Sequence, residues 1–426
     1  MSKVLLKNIC KPNEIGKYGI PASAEDYDES KVRYLRISDI DDFGKLLDKD
    51  KKSVSATDIN KYILEENDIV VARTGNSTGR TYFHEKKNGI LAFAGFLIKY
   101  GLDNNKVNPK YLKYYTISSE YKQWVKNLSV GSTRGNINAQ TFANCPILLP
   151  ERKQQNFLVS ILSLLDDKIE LNNRINDNLE LMAKTMYNYW FVQFDFPNEN
   201  GKPYKSSGGK MIWNEILKRE IPEGWEVKKL NDCIELIIDY RGKTPKKLDA
   251  DWSTNNSDIV AISAKHIKKG KLVNLSEANR VNNSLYNKWM KEKLIEGDIL
   301  MTSEAPCGEF FYLIGDIKYC LSQRVFAIRS NMKILSHTYL YYELSIGNGY
   351  SQILGKVSGS TVFGIRQDEL RTVNVLIPSI SLQKKFEKQI LPIYHKIRIN
   401  EQQNQQLSSL RDWLLPMLMN GQVKVE

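Results

Sequence analysis

The sequence predicts an α+β chain: two similar mixed α/β domains, separated by two long helices that pair as an antiparallel coiled coil with pseudo-twofold symmetry. Two observations lead there. First, the chain repeats itself. Tyr111-Leu112-Lys113-Tyr114 returns as Tyr339-Leu340-Tyr341-Tyr342, Gly131-Ser132-Thr133 as Gly359-Ser360-Thr361, and Pro150 as Pro378, each 228 residues later. Asn67-Asp68-Ile69 answers to Gly297-Asp298-Ile299 at 230, so one loop differs by about two residues. A solenoid unit runs roughly 20–50 residues, so this spacing marks a duplicated domain. Second, each half ends in a segment whose apolar residues step by four and three, which is the period of a coiled-coil seam.

The elements follow in order. Residues 1–150 form the first globular domain, with strand-like runs at Asp68–Ala72 and Phe96–Tyr100 and a helix from Pro109 to Lys126. Gly, Asn and Ser punctuate these runs, as strands and turns require. Residues 151–192 form the central helix, with a seam of Leu158, Leu162, Leu165, Ile169, Asn172, Asn176, Leu179, Ala183, Met186 and Trp190. A connector rich in Pro, Asn, Ser and Gly opens the segment 193–380, whose second globular domain carries Ile259–Ile262 and the helix from Ser336 to Ile346. Residues 381–426 form the C-terminal helix. Its seam is the first one displaced by 228: Phe386, Ile390, Ile393, Ile397, Asn400, Asn404, Leu407, Arg411, Leu414 and Leu418.

Both seams place Asn at the same two positions. A buried Asn in a coiled coil fixes register and needs a partner, so Asn172, Asn176, Asn400 and Asn404 are expected to set the register of the helix pair. Arg411 is the one charged intruder. Pro392 and Pro416 are expected to kink the second helix or to begin helical segments.

Composition narrows the function. The formal net charge of +12 favours a polyanionic partner, since basic surfaces displace counterions condensed on phosphate backbones. Five cysteines without a C-x-x-C pair and four scattered histidines argue against a zinc site or a disulfide framework. No signal-peptide pattern and no run of about 18 apolar residues occurs, so a cytoplasmic protein is expected.

Catalytic motifs are missing. Gly242-Lys243-Thr244 looks like the tail of a phosphate-binding loop, but Ile237 stands where its first Gly belongs. No G-x-G-x-x-G follows a strand, no amino-methyltransferase tetrapeptide occurs, and no paired carboxylates with a following Lys suggest a nuclease. The chain is read as non-catalytic, with neither cofactor nor metal of its own.

Several segments, taken in order, then resemble a known family. Tyr18-Gly19-Ile20 with Tyr34–Ile40 is similar to the opening of its recognition domain, and Val71–Gly75 and Met301–Pro306 resemble two variants of its central strand. Tyr240–Pro245, Ile262–Lys265 and Ser322–Val325 resemble segments of a second domain, and Trp190-Phe191, Asp195-Phe196 and Ile221–Trp225 the stretch that joins helix to domain. Over nearly its full length the chain resembles the specificity subunit (HsdS) of a Type I restriction–modification system. The resemblance implies two target-recognition domains, each reading half of a split, asymmetric double-stranded DNA sequence. The helices would be a ruler: about 33 residues of seam span roughly 50 Å, enough to carry two readers about one DNA turn, ~34 Å, apart. It also implies two methyltransferase subunits (HsdM) and two restriction subunits (HsdR), with S-adenosylmethionine, ATP and Mg bound by those partners.

Base and phosphate contacts need Arg, Lys, Asn, Gln, Ser or Thr on exposed edges. Polar loops supply Arg73, Asn76, Arg80, Arg134, Asn136 and Asn138 in the first half. In the second they supply Arg241, Lys243, Lys265, His266, Ser303, Arg324 and Ser360. Arg134 is answered by Val362, so the two half-sites are expected to differ. A duplicated coiled-coil scaffold without DNA specificity is the alternative function. A stand-alone DNA-modifying enzyme is opposed by the missing donor-pocket motifs.

Overall fold

A computed structural model describes residues 2–48, 50–129, 136–359 and 363–419. The chain divides into two compact units, residues 1–171 with 403–426, and residues 172–402. Each unit therefore takes one globular module and one half of each long helix.

The first module contains strands β1 (Ser2–Leu5), β2 (Cys10–Tyr18), β3 (Val32–Leu35), β4 (Asp68–Ala72), β5 (Thr81–Phe83), β6 (Leu91–Phe93) and β7 (Leu97–Leu102). Helices α1 (Pro109–Tyr115), α2 (Ser119–Ser129) and α3 (Ala139–Ala143) and strand β8 (Pro146–Leu149) complete it, and α4 (Arg152–Tyr187) leaves it. Its main sheet has the order β2-β7-β4-β5, all antiparallel. A second sheet holds the parallel pair β3 and β6.

The second module rebuilds this plan. After a single π-helical turn at Asn188–Val192 and the connector come β9 (Glu226–Lys229), β10 (Ile234–Asp239), β11 (Ile259–Ile262), β12 (Ile299–Thr302), β13 (Phe310–Tyr312), β14 (Tyr319–Leu321) and β15 (Val325–Ser330). Helices α5 (His337–Ser345) and α6 (Asn348–Gly355), strand β16 (Asn374–Ile377) and the long α7 (Ile380–Met419) follow. The main sheet is β10-β15-β12-β13, and β11 pairs in parallel with β14.

The duplication extends to single hydrogen bonds. Tyr111 Oη donates to the Leu148 carbonyl at 2.6 Å, and Tyr339 Oη to the Leu376 carbonyl at 2.8 Å. Gln155 accepts from Asn108 N and donates to the Pro150 carbonyl, while Gln383 accepts from Ser336 N and donates to the Pro378 carbonyl. Each glutamine is buried and so satisfies main-chain groups that water cannot reach. Asp68 meets Lys99 at 3.2 Å on the first main sheet, and Asp298 meets Arg329 at 2.8 Å on the second.

None of the twenty seam residues of the two helices is exposed. In the first unit Leu158 and Leu162 share a core with Leu415, Leu418 and Met419. In the second, Ala183 and Tyr187 share one with Phe386 and Ile390. Both units thus set the start of one helix beside the end of the other, which is antiparallel pairing. Asn400 Nδ2 donates to Asn176 Oδ1 at 2.7 Å in the buried seam, and Asn172 is buried as well.

The proline expectation is corrected, because α7 runs unbroken through Pro392 and Pro416. Both prolines are exposed, as are Lys388 and Asp412, whose carbonyls lose the amide partner four residues on. Facing solvent, those carbonyls can bond water, and the helix persists.

Candidate nucleic-acid interface

One end of each main sheet gathers most of the candidate residues. In the first module this rim lies where β4 and β2 finish and β7 begins. Arg73 directly follows β4. Its amide donates to the Phe96 carbonyl at 3.0 Å, and its own carbonyl accepts from Ile137 N at 2.9 Å. The side chain donates from Nε to Asn136 Oδ1 at 3.3 Å, and its guanidinium stands 5.0 Å from the centre of the Tyr18 ring. Tyr18 Oη accepts from Ala139 N, and Asn138 caps α3 by accepting from Thr141 N at 2.8 Å. Arg73, Asn136 and Asn138 are therefore brought together, with exposed Phe96 beside them. Asn76 is exposed in the loop after β4, and Arg80, closing that loop, donates to Asp42 at 2.6 Å.

The equivalent rim of the second module lies where β12 and β10 finish and β15 begins. Arg241 makes two hydrogen bonds to Asp239, at 2.9 and 2.8 Å, and lies over the Phe326 ring at 4.2 Å. Lys243 donates to the Trp289 carbonyl at 2.8 Å and lies over Tyr240. Arg324 reaches Glu304 at 3.1 Å, and Lys265 is exposed in the turn whose Ala264 N donates to the Gln323 carbonyl. Held by bidentate contacts and ring stacking, these cations keep a fixed aim, which base readout requires.

Two candidates are corrected. His266 is buried, and its Nδ1 accepts from Ser263 N at 3.0 Å, closing a 3₁₀ turn. Burial, with neighbouring Lys265 adding to it, pushes its pKa down to about 4, so it is a neutral turn residue. The first module closes the same turn with Asp39, which accepts from Arg36 N. Ser303 is also buried, and its main chain pairs with Arg324 and Ile365. Arg134 and Ser360 lie outside the described residues.

The sequence reading did not select Tyr18 and Phe96 as contacts. The available signal was their position: aromatics beside glycine at strand ends, where a core residue would be expected further in.

Aligned strand by strand, the rims differ at each point. Arg73 answers to Ser303, Phe96 to Arg324, and Tyr18, opposite Ile98, to Asp239, opposite Phe326. Among the described residues no cluster of His, Cys, Asp and Glu could hold a metal ion, and no helix is long and apolar enough to cross a membrane.

Residues 3–181 and 222–409 match the family described as Type I restriction modification DNA specificity domain. The chain belongs to this family. Among curated proteins it is 27% identical to the Type I restriction enzyme MjaIX specificity subunit of Methanocaldococcus jannaschii, over 80% of this chain and 74% of that one. It is 21% identical to the HindI specificity subunit of Haemophilus influenzae, over 85% and 88%. The Type I restriction–modification S subunit of M. genitalium has the same fold, with a TM-score of 0.55 at 15% identity over 98% of this chain and 95% of that one. Membership makes this a DNA-specificity component of a restriction–modification system and not one of its catalytic subunits. The two matched segments are the two halves of the duplication.

Proposed function

We propose that this specificity subunit reads a bipartite, asymmetric target, each module reading one half-site, with the paired helices fixing the gap. The observation that carries this reading is the contrast between framework and rim. Tyr111, Gln155 and Asp68 have matching counterparts in the second module, whereas Arg73, Phe96 and Tyr18 are answered by residues of different chemistry. A duplicated scaffold with divergent reading edges fits two half-sites of different sequence. The gap belongs to α4 and α7, whose 36 and 40 residues are continuous helix, so α4 alone is about 54 Å long.

The helices also support recruitment of two identical partners. Leu171 and Met182 on α4 are matched at 228 residues by Ile399 and Leu410 on α7, and all four are between 42% and 58% exposed. Large apolar side chains left open at repeated positions suit two copies of one docking surface. Two methyltransferase subunits would take these faces, and two restriction subunits would join the assembly. S-adenosylmethionine, ATP and Mg would be held by those partners.

Single-molecule methylation mapping tests this, in cells carrying the methyltransferase subunit with or without this chain. A split motif with a constant gap, appearing only with the chain, is the expected result. An uninterrupted motif would sink the two-module reading. One added helical turn in both α4 and α7 should lengthen the gap and leave both half-sites unchanged.

A further inference from the structure

Beside the rim, each module has a groove between its edge strand and its short helices, and the two grooves have opposite chemistry. In the first unit a cavity of about 390 Å³ is lined by Asn76, Arg80, Lys122 and Lys126, with Asp42 as its carboxylate. Three cations face one acid, and that acid already holds Arg80 at 2.6 Å. Lys122 and Lys126 stand one helical turn apart on α2. Both are exposed, and among the described residues neither has an ion-pair partner.

The groove is held in shape. The loop from Arg73 to Arg80 is closed by Ala72 N donating to the Arg80 carbonyl and Gly79 N to the Ala72 carbonyl. Tyr121 Oη on α2 donates to the Gly79 carbonyl at 3.0 Å. Gly79 has φ +85°, and a Cβ there would come within 2.5 Å of Val125 on the same helix. Only glycine lets the loop close on α2. One loop thus ties Arg73 at the rim to Arg80 in the groove, and α2 fixes the lysines beside it.

The second module keeps the backbone and loses the charge. Thr302 N donates to the Glu309 carbonyl as Ala72 N does to Arg80, so Glu309 stands for Arg80. At 228 residues, Tyr350 stands for Lys122 and Leu354 for Lys126. The second unit's cavity, about 360 Å³, is floored by tyrosines and balanced, with Glu180, Glu309 and Glu401 against Lys184, Lys269 and Arg398.

We propose that the first module's groove seats a DNA phosphate backbone, with Lys122 and Lys126 contacting phosphates directly, and that the second module's groove has no such role. This rests on reading the chain as a DNA-recognition subunit, and it adds where the sequence-independent contact is made. An ammonium on a flexible stem contributes charge without base preference, whereas the fixed guanidinium of Arg73 can read an edge. The first module would therefore grip its half-site partly through the backbone, next to its reading rim.

The test uses the full chain assembled with its methyltransferase subunit, comparing the unaltered protein with the double variant Lys122→Gln/Lys126→Gln. Affinity is measured against salt, on DNA carrying the mapped target and on DNA lacking it. Two lost phosphate contacts should flatten the slope of log K against log salt by about 1.8 and weaken both DNAs by a similar factor. The methylated motif should stay the same. An unchanged slope overturns the proposal, and so does a changed motif at constant slope, since the lysines would then read bases. Circular dichroism of the variant guards against misfolding, and the single variants Lys122→Gln and Lys126→Gln should each give about half the effect. If the unaltered complex binds DNA without salt dependence or target preference, the recognition reading itself fails. That failure is visible in the unaltered complex alone, before any variant is measured.

Discussion

The two places where a module meets the long helices share one geometry and use opposite chemistry. In the first unit Tyr114 Oη donates to Asp166 Oδ2 at 3.1 Å, and Asp166 also holds Lys113 at 3.4 Å and Arg411 at 3.0 Å. In the second unit each residue is replaced at 228: Tyr342 for Tyr114, Tyr394 for Asp166, Tyr341 for Lys113, and Ala183 stands where Arg411 does. The hydrogen bond survives, with Tyr394 Oη donating to Tyr342 Oη at 2.9 Å. Tyr312, Tyr341 and Tyr342 pack around Tyr394, with ring centres 5.1 to 6.4 Å away. Duplication thus conserved the positions and one directional bond, while a charged network and an aromatic cluster became alternative fillings. The difference predicts that the two junctions respond to different insults.

The largest contrast should come from removing the central acid. Burial works against the charge of Asp166, but Lys113 and Arg411, with Tyr114, more than offset it and hold its pKa below the ordinary carboxylate value. Asp166→Ala leaves Arg411 buried with only its neighbour Asp412, and should cost about 3–5 kcal/mol, the usual range for breaking a buried pair. Hydrogen-exchange mass spectrometry should show lost protection at both helix segments of the first unit, around residues 158–166 and 411–419. Loss spread equally over the second unit's aromatic junction would show that the fillings do not act locally.

A smaller contrast concerns pH. Glu343 is buried in α5, accepting from Tyr187 Oη at 2.7 Å. Burial raises its pKa to about 7, and the hydrogen bonds from Tyr187 and the main chain only partly offset this. The folded value lies above the unfolded one, so the stabilisation is full below about pH 4.5 and is lost as pH rises through about 7. The second unit should weaken over that window by on the order of 3 kcal/mol. The first unit has Tyr115 at the equivalent place, donating to the Pro146 carbonyl, and this position gives it no such slope. Unfolding followed from pH 4.5 to 7.5 should show the slope in the native chain and a flatter profile in Glu343→Gln. A native profile flat in the second unit's protection would remove Glu343 from this role.

These contrasts explain what the sequence could and could not convey. The helix seams were legible because a 3.5-residue period is local, and the offset of 228 carried the rest of the duplication. Arg411 was visible as an intruder, but its partner Asp166 lies 245 residues away, and only the fold brings them together. His266 looked like a surface residue because its turn is polar and short, and only the structure shows the turn folding over its own ring. The prolines of α7 misled for the converse reason. Their cost depends on which face they occupy, and a solvent-facing proline leaves the freed carbonyl hydrated. At the rim, residue types were legible singly, but the pairing of Arg73 with Tyr18 and Asn136 spans 63 residues of chain and more.

The smallest effect is the sharpest test of the shared bond. Tyr394→Phe removes the hydroxyl that donates to Tyr342 and leaves the ring among Tyr312, Tyr341 and Tyr342, so about 1 kcal/mol should be lost. Tyr114→Phe removes the equivalent donor in the first unit, where Lys113 and Arg411 still satisfy Asp166, and its cost should fall below that of Tyr394→Phe. Chemical denaturation with local protection as readout separates the two. If Tyr114→Phe proves the costlier, the conserved hydrogen bond matters more beside a charge than between two phenols, and the ion network would be organised around Tyr114 instead of merely including it.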